Sequence, residues 1–556
     1  MKQIVKDIFR ILNRREVDKL WQLTIADVFI SVLDILFLIA LLFVINFYTQ
    51  PQGQASDKFF SPALFNEHPV LLISLFFLLF TAKNILAFLI SKAQYNYVYG
   101  VASRISRDNL LQYLNGPYTD YIHVDSSVMN RYISQQPVEF CHYVLNGLQQ
   151  IFSQAILILI SVTAIAIFNP LLLPLLLLIL VPPVAMISIF IKRRLHEGRQ
   201  MGKSMSEKSM QHLQEALTGY VESNLNSKNE FFTNRYHRFQ KRLNRYLSER
   251  LIIQNMPTRF IEVFAVFGLF LLIVLNFLAS HHSTIPIITL GALMAAAYKI
   301  IPGIVKITNL TGQVRTYAYA AAGLTKSDGH PTETNDITDH ISSIDFENVD
   351  FDFNGKSLLK SFSMKLEKGD MMGISGISGR GKTTLVNLLL GFLTTDKGNI
   401  YFNGHLSDLD TRKKLWKRIS YIKQQHFFLH ASLAENITLE EGNYNKKRME
   451  DVLELTGMAQ MVRSFSHGVD TVITENGKNL SGGQRQRFIL ARALYRDYDL
   501  LILDEPFSEL DRAAETEMLK QLRILANNGK IILLITHNTD AFSFCNKKIQ
   551  LDDLEK

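Results

Sequence analysis

The sequence predicts a multidomain membrane protein: a six-helix α-helical transmembrane domain followed by a separate α/β domain. Three observations carry this. Phe140 to Ile191 run 52 residues without an Asp, Glu, Lys or Arg, and Val263 to Tyr298 run 36. The stretch Lys326 to His340 (KSDGHPTETNDITDH), rich in turn-forming residues, then separates these runs from a second half with ordinary charge. Across all 556 residues the hydrophobic share is 47% and the charged share 20%, where soluble domains carry about 25% charge.

The spans follow in order. Val28 to Tyr48 holds one acid, Asp34, and Val70 to Ile90 one base, Lys83, giving spans at about residues 22–49 and 68–92. A 52-residue helix would be about 78 Å long, and a bilayer core is about 30 Å thick. The first uncharged run therefore folds back at Asn169-Pro170, since proline disfavours helix for the residue before it, and yields spans at 142–168 and 170–192. Polar residues Ser280 to Thr284 followed by Pro286 divide the second run into spans at 255–280 and 284–311. Residues 1–325 thus form the transmembrane domain, 326–340 a linker and 341–556 the second domain. The two loops of about 50 residues between spans two and three and between spans four and five are charged and helix-prone, and read as helices continuing beyond the bilayer.

The net charge of +8 is located by this topology. Lys2, Lys6, Arg10, Arg14, Arg15 and Lys19 precede the first span, and Lys92, Arg104, Arg107, Lys192, Arg193 and Arg194 follow the second and fourth. Short basic loops stay cytoplasmic, so both termini of this multi-pass membrane protein are expected there. The balance needs no nucleic acid. Two cysteines, Cys141 and Cys545, far apart, support neither a disulfide framework nor a zinc site.

Beyond the linker, Asp370 to Ser375 leads into Gly376-Ile377-Ser378-Gly379-Arg380-Gly381-Lys382-Thr383, and Thr384 to Leu390 continues as helix. Strand, glycine-rich loop and helix in this order make a P-loop, so the second domain reads as an α/β P-loop nucleotide-binding domain. Backbone N–H groups at Gly376, Ser378, Gly379 and Gly381 can converge on phosphate oxygens, helped by the helix N-terminus at Thr383 and Thr384. Lys382 neutralises charge and the Thr383 hydroxyl can ligate Mg2+. The apolar run Leu500 to Leu503 ends in Asp504-Glu505. Asp504 is placed to hold the Mg2+ shell and Glu505 to polarise a water as general base. A second apolar strand, Ile531 to Ile535, ends in Thr536-His537.

Leu480-Ser481-Gly482-Gly483-Gln484 stands about 20 residues before Asp504. With it, the segment Ile341 to Lys556 resembles the ATP-binding cassette (ABC) family, whose signature this pentapeptide is. The resemblance implies that Phe353 stacks on adenine and that Gln424 senses Mg2+ and the membrane domain. It further implies that Ser508 to Asp511 crosses a dimer interface and that His537 contacts the γ-phosphate. Two cassettes would sandwich two ATP molecules, each held by one chain's P-loop and capped by the partner's Ser481, Gly482, Gly483 and Gln484. Six spans and one cassette then imply a homodimer of exporter type with Glu505 and His537 catalytic. Cytoplasmic turns at Tyr113 to Tyr121 and Ser227 to Tyr236 are expected to dock on the cassettes near Gln424.

Ionisable groups inside spans mark function or pair with one another. Arg259 and Glu262 are three apart on a helix, and Lys83 or Lys299 can meet Asp34 or snorkel. Alternatively Lys83, Arg259 and Lys299 face an anionic head group. Pro257-Thr258-Arg259 and Tyr298 to Pro302 are similar to the lipid-linked oligosaccharide flippases among bacterial exporters. The expected function is ATP-driven export or flipping of an amphiphilic substrate, a lipid or lipid-linked saccharide. Peptide export, or an ATPase that regulates a partner without transport, stand as alternatives.

Overall fold

A computed structural model describes residues 2–49, 69–118, 122, 124–168, 199–279, 287–321, 323–324, 340–353, 355–377 and 379–552. They divide into two compact units, Met1–Gly116 with His123–His330, and Pro117–Ile122 with Pro331–Lys556.

The first unit is helical. It contains α1 (Lys2–Ile11), α2 (Arg14–Thr49) and α3 (Pro69–Leu114), then a helical stretch from Ser126 whose turns Arg131–Gln135 and Phe140–Leu145 are π-helical, leading into α4 (Asn146–Phe168). α5 (Arg199–Thr218), α6 (Tyr220–Leu225), α7 (Asn229–Ala279) and α8 (Ile287–Tyr317) complete it. Among the described residues, Arg14–Phe37, Val70–Leu114 and Ser126–Thr163 are long and apolar enough to cross a membrane. The spans expected at 22–49, 68–92, 142–168, 255–280 and 284–311 fall on α2, α3, the Phe140–Phe168 helix, α7 and α8. The span expected at 170–192, and the linker apart from His340, lie outside the described residues. α7 has 51 residues and so measures about 77 Å, more than twice a bilayer core. Ile8 and Ile11 of α1, with Leu12 just after it, share a buried core with Val98, Val101 and Ile105 of α3 and with Phe140, Cys141 and Val144. The Arg104 guanidinium joins α3 to α2, donating to Glu16 at 2.6 and 3.0 Å.

One expected turn lies earlier than the sequence placed it. The chain reverses through Gly219 to Lys228, and Ser223, Asn226 and Lys228 close the corner with backbone hydrogen bonds. Residues 229–236 are already helix. Asn229 opens α7 two residues after the left-handed Ser227, so the turn-forming Asn-Ser-Lys-Asn cluster ends the corner instead of starting it.

The second unit has two sheets. β1 (Ser343–Phe353), β2 (Lys356–Glu367), β4 (Lys397–Phe402) and β5 (His405–Leu406) form an antiparallel sheet in the order β2-β1-β4-β5. β3 (Met371–Ser375), β6 (Ile419–Ile422), β7 (Leu500–Asp504), β8 (Ile531–Ile535) and β9 (Lys547–Gln550) form a parallel sheet in the order β9-β3-β8-β7-β6. β7 and β8 are buried at every position, which is why they read as continuous apolar runs. Helices α9 (Lys382–Leu390), α10 (Gly482–Tyr495) and α11 (Arg512–Asn527) belong to the same unit. Register positions the chemistry: Ile535 pairs with Ile374 on one side and Asp504 on the other. The carboxyl ends of β3, β8 and β7 are therefore level, and the residues leaving these three strands meet along one edge of the sheet.

Candidate nucleotide site

That edge gathers the P-loop after β3, Asp504-Glu505 at the end of β7 and His537 just beyond β8. α9 starts at Lys382 on a Gly381 N-cap at φ 95°, a left-handed conformation that costs glycine nothing and a side-chain-bearing residue about 1 kcal/mol or more. Lys382 is buried to 8% exposure. Its Nζ donates to the Gly376 carbonyl at 2.5 Å and lies 2.8 Å from His537 Nε2. The same Nε2 is 3.2 Å from Glu505 Oε1, and the Gln424 amide donates to Glu505 Oε2 at 3.0 Å. His537 Nε2 can accept from Lys382 or donate to Glu505, but not both at once. Lys382, His537, Glu505 and Gln424 thus form one chain of polar contacts in which a single proton position decides the pairing.

Asp504 is buried, and that burial, with Glu505 beside it, pushes its carboxyl up to about 6 while Lys382 and His537 act the other way. A carboxyl held high by burial and a neighbouring acid is one that a bound cation stabilises in ionised form. Thr383 is exposed at the start of α9. The Thr383 hydroxyl, the Asp504 carboxylate and the Gln424 amide are hard oxygen donors, a set that fits Mg2+. Among the described residues no cluster of His, Cys, Asp and Glu suits a transition metal.

Gly376, Gly379, Gly381, Lys382, Thr383 and Thr384 all lie at the β3–α9 junction, and Ser378 lies outside the described residues. Phe353 ends β1 with its ring 43% exposed, available for stacking. Ser481 caps α10 through a capping box with Gln484, donating its N–H to the Gln484 amide oxygen at 2.9 Å. A Cβ on Gly482 would lie 2.5 Å from Glu509 Oε2, and one on Gly483 3.2 Å from the Glu509 carbonyl. The two glycines thus admit the Ser508–Asp511 segment against the signature. Asp511 caps α11 by accepting from Ala514 N–H at 2.8 Å. The signature helix is tied to Glu509 through Arg485 at 3.4 Å.

Gln486 is a site residue that the sequence did not reveal. It is 1% exposed, donates to the Glu505 carbonyl at 3.3 Å and to Ser508 Oγ at 3.1 Å, and accepts from Glu509 N–H at 2.6 Å. It fixes the backbone on both sides of Pro506. The signal available was a glutamine on the otherwise apolar buried face of α10.

Of the expected docking turn at Tyr113 to Tyr121, Pro117 and Tyr118 fall within the second unit, where the Tyr118 ring stacks on Phe392 at 4.7 Å. Of the candidate cargo cations, Lys83 forms an ion pair with Asp34 at 2.5 Å and lies over the Phe80 ring at 4.9 Å. Its charge is matched inside the chain. Arg259 is exposed on α7 and engaged in an interaction of its own. The side chains of Glu262 and Lys299 lie outside the described residues.

Residues 359–508 match the family described as ABC transporter. A probable ABC transporter ATP-binding/permease protein of Haemophilus influenzae is 32% identical over 213 residues, 38% of each chain. The alpha-hemolysin translocation ATP-binding protein HlyB of Escherichia coli O157:H7 is 33% identical over 212 residues, 38% of this chain and 30% of that one. The ATP-dependent lipid A-core flippase of Ralstonia nicotianae is 28% identical over 387 residues, 67% of this chain and 64% of the relative. The matched portion thus spans between about a third and two thirds of these curated relatives. In structure, a bacterial Atm1-family ABC exporter with ATP bound superimposes with a TM-score of 0.77 at 14% identity, over 97% of this chain and 94% of that one.

Proposed function

We propose that this chain, which carries an ABC transporter ATPase domain on the fold of an ABC exporter, works as half of a homodimer. Together the two copies would drive an amphiphilic substrate, a lipid or lipid-linked saccharide, out of the bacterial inner membrane by alternating access. The observation that carries the reading is the Lys382–His537–Glu505–Gln424 chain at the phosphate end of a parallel sheet, in a protein whose other unit has long apolar helices. P-loop N–H groups and Lys382 would bind the ATP phosphates, Lys382 exchanging its loop carbonyl for phosphate oxygen. Glu505, oriented by Gln424, would accept the proton of the attacking water, and His537 would bond the γ-phosphate. Thr383, Asp504 and Gln424 would hold Mg2+, which screens the phosphate charge when bound.

In this reading the Ser481, Gly482 and Gly483 of each copy would cap the ATP held by the other copy's P-loop, as the ABC-family resemblance implies. The α5–α7 corner fits docking on a cassette, since Leu217, Tyr220, Val221 and Leu225 expose most of their apolar surface there. Both termini and the long helical extensions would lie in the cytoplasm, a reading that the basic loops support.

Lipid-type cargo is favoured by one comparison. The alignment to the lipid A-core flippase covers 387 residues, more than the cassette alone can hold, so it reaches into the helical unit. Lys83, already paired with Asp34, recedes as a head-group ligand, and Arg259 and Lys299 remain the proposed cations. The test is ATP hydrolysis by purified protein in lipid nanodiscs, with and without a polyprenyl pyrophosphate glycan. The reading expects hydrolysis that the glycan stimulates and that Arg259→Ala and Lys299→Ala blunt. Hydrolysis indifferent to the glycan would remove the anionic-lipid cargo, and no hydrolysis would remove the transporter reading.

A further inference from the structure

We propose that the Leu551–Asp552 segment is a clasp that positions the phosphate-binding loop, with Arg380 and Asp552 as its positioning residues. The inference rests on the nucleotide reading of the loop and adds a determinant of ATP affinity outside the site's own motifs.

Arg380 stands out in the sequence as a long cationic side chain in the middle of a glycine-rich loop. Its neighbours Gly379 and Gly381 are both left-handed, at φ 81° and 95°. Such a loop has much backbone freedom to lose when it closes on phosphate. Two sets of contacts remove that freedom beforehand. From within, Lys382 Nζ donates to the Gly376 carbonyl at 2.5 Å, and the Arg380 N–H donates to the Ile377 carbonyl at 3.3 Å. From the end of the chain, both Asp552 carboxylate oxygens accept from the Ile377 N–H, at 3.3 and 3.2 Å. Arg380 Nε donates to the Leu551 carbonyl at 3.4 Å and lies 4.0 Å from Asp552 Oδ1.

The far side of the clasp is itself fixed. Leu551 is 1% exposed and follows β9, which pairs in parallel with β3 up to Gln550 opposite Ser375. The P-loop therefore leaves β3 beside the segment that holds it. A Cβ on Gly376 would already stand 3.3 Å from the Leu551 Cβ. Ile377 and Arg380, the two ends of the loop's turn, are thus tied to the rigid sheet through one carboxylate and one carbonyl. Preorganisation of this kind lowers the ordering cost of binding. Neither Arg380 nor Asp552 takes a role in the transfer of the water's proton, so the effect belongs to ATP affinity.

The experiment measures the dissociation constant of a fluorescent ATP analogue and the KM and kcat of hydrolysis, using the full-length protein in nanodiscs. The variants are Asp552→Asn, Arg380→Ala and the double substitution. Each single change is expected to weaken binding roughly three- to tenfold, with the loss in KM rather than kcat. The double variant is expected to bind more weakly than either single one, because Asp552 holds the Ile377 N–H and Arg380 holds the Leu551 carbonyl through separate contacts. Asp552→Glu should restore most of the affinity. Affinity within twofold of the unaltered protein in both single variants, or a fall in kcat at constant KM, would overturn the clasp. If Arg380→Ala lowers thermal stability, Asp552→Asn still decides, since that side chain is 43% exposed. Failure of the unaltered protein to bind the analogue would instead refute the nucleotide reading.

Discussion

Glu505 occupies a left-handed backbone conformation at φ 51°, which costs a non-glycine residue roughly 1–3 kcal/mol. Its N–H donates to the Ile535 carbonyl at 2.9 Å, and its carbonyl accepts from Gln486. That strain aims the carboxylate at Gln424 and His537 and supports its assignment as the base. Glu505→Gln should retain ATP binding and lower turnover by about 10²–10⁴-fold, a range typical for loss of a general base, as read by phosphate release. Gln486→Leu should remove the acceptor of the part-buried Glu509 N–H and cost about 1 kcal/mol, measured as a lower melting midpoint. Asp370 gives a pH-dependent counterpart. Burial raises its carboxyl, but hydrogen bonds from Lys547, the Glu367 N–H and Asn546, with the Lys547 charge, outweigh this and hold it below the ordinary 3.8. The stabilisation is full above 3.8 and is lost as pH falls through the lowered folded value. The stability advantage over Asp370→Asn should therefore shrink in acid unfolding below that pH.

At the scale of elements, the capping box at Ser481 fixes where α10 begins. Ser481→Ala should cost the helix about 1 kcal/mol. Gly482→Ala should cost less, since its Cβ meets only the movable end of the Glu509 side chain. Between α2 and α3, Lys83→Met should be destabilising because it removes the cation that pairs with Asp34, whereas Lys83→Met with Asp34→Asn should recover part of the loss. Thermal unfolding in nanodiscs measures both. These elements also mark what was legible. β7 and β8 could be read because central parallel strands are buried on both faces and leave uninterrupted apolar runs. The P-loop and signature could be read because phosphate binding demands fixed spacing. Gln486 could not, because its partners Glu505, Ser508 and Glu509 lie 19 to 23 positions downstream and leave no local pattern. The Asp34–Lys83 pairing was one of several arrangements open to lone charges, and only the approach of α2 to α3 selects it. The corner before α7 was misplaced because helix-forming residues on both sides blur the boundary.

For the whole molecule, two units divide the labour. One supplies apolar helices, some far longer than a bilayer, and the other supplies the nucleotide site, which in the proposed homodimer a second copy completes. Leu225→Glu at the α5–α7 corner should leave ATP binding unchanged and uncouple hydrolysis from cargo, seen as loss of glycan stimulation. The central claim is that ATP hydrolysis moves an amphiphile between leaflets. Its most direct test reconstitutes the protein in liposomes and follows a fluorescent lipid-linked saccharide by protection from an external quencher. ATP-dependent protection by the unaltered protein, absent with Glu505→Gln, is the expected result. Equal redistribution without ATP, or with Glu505→Gln, would contradict it.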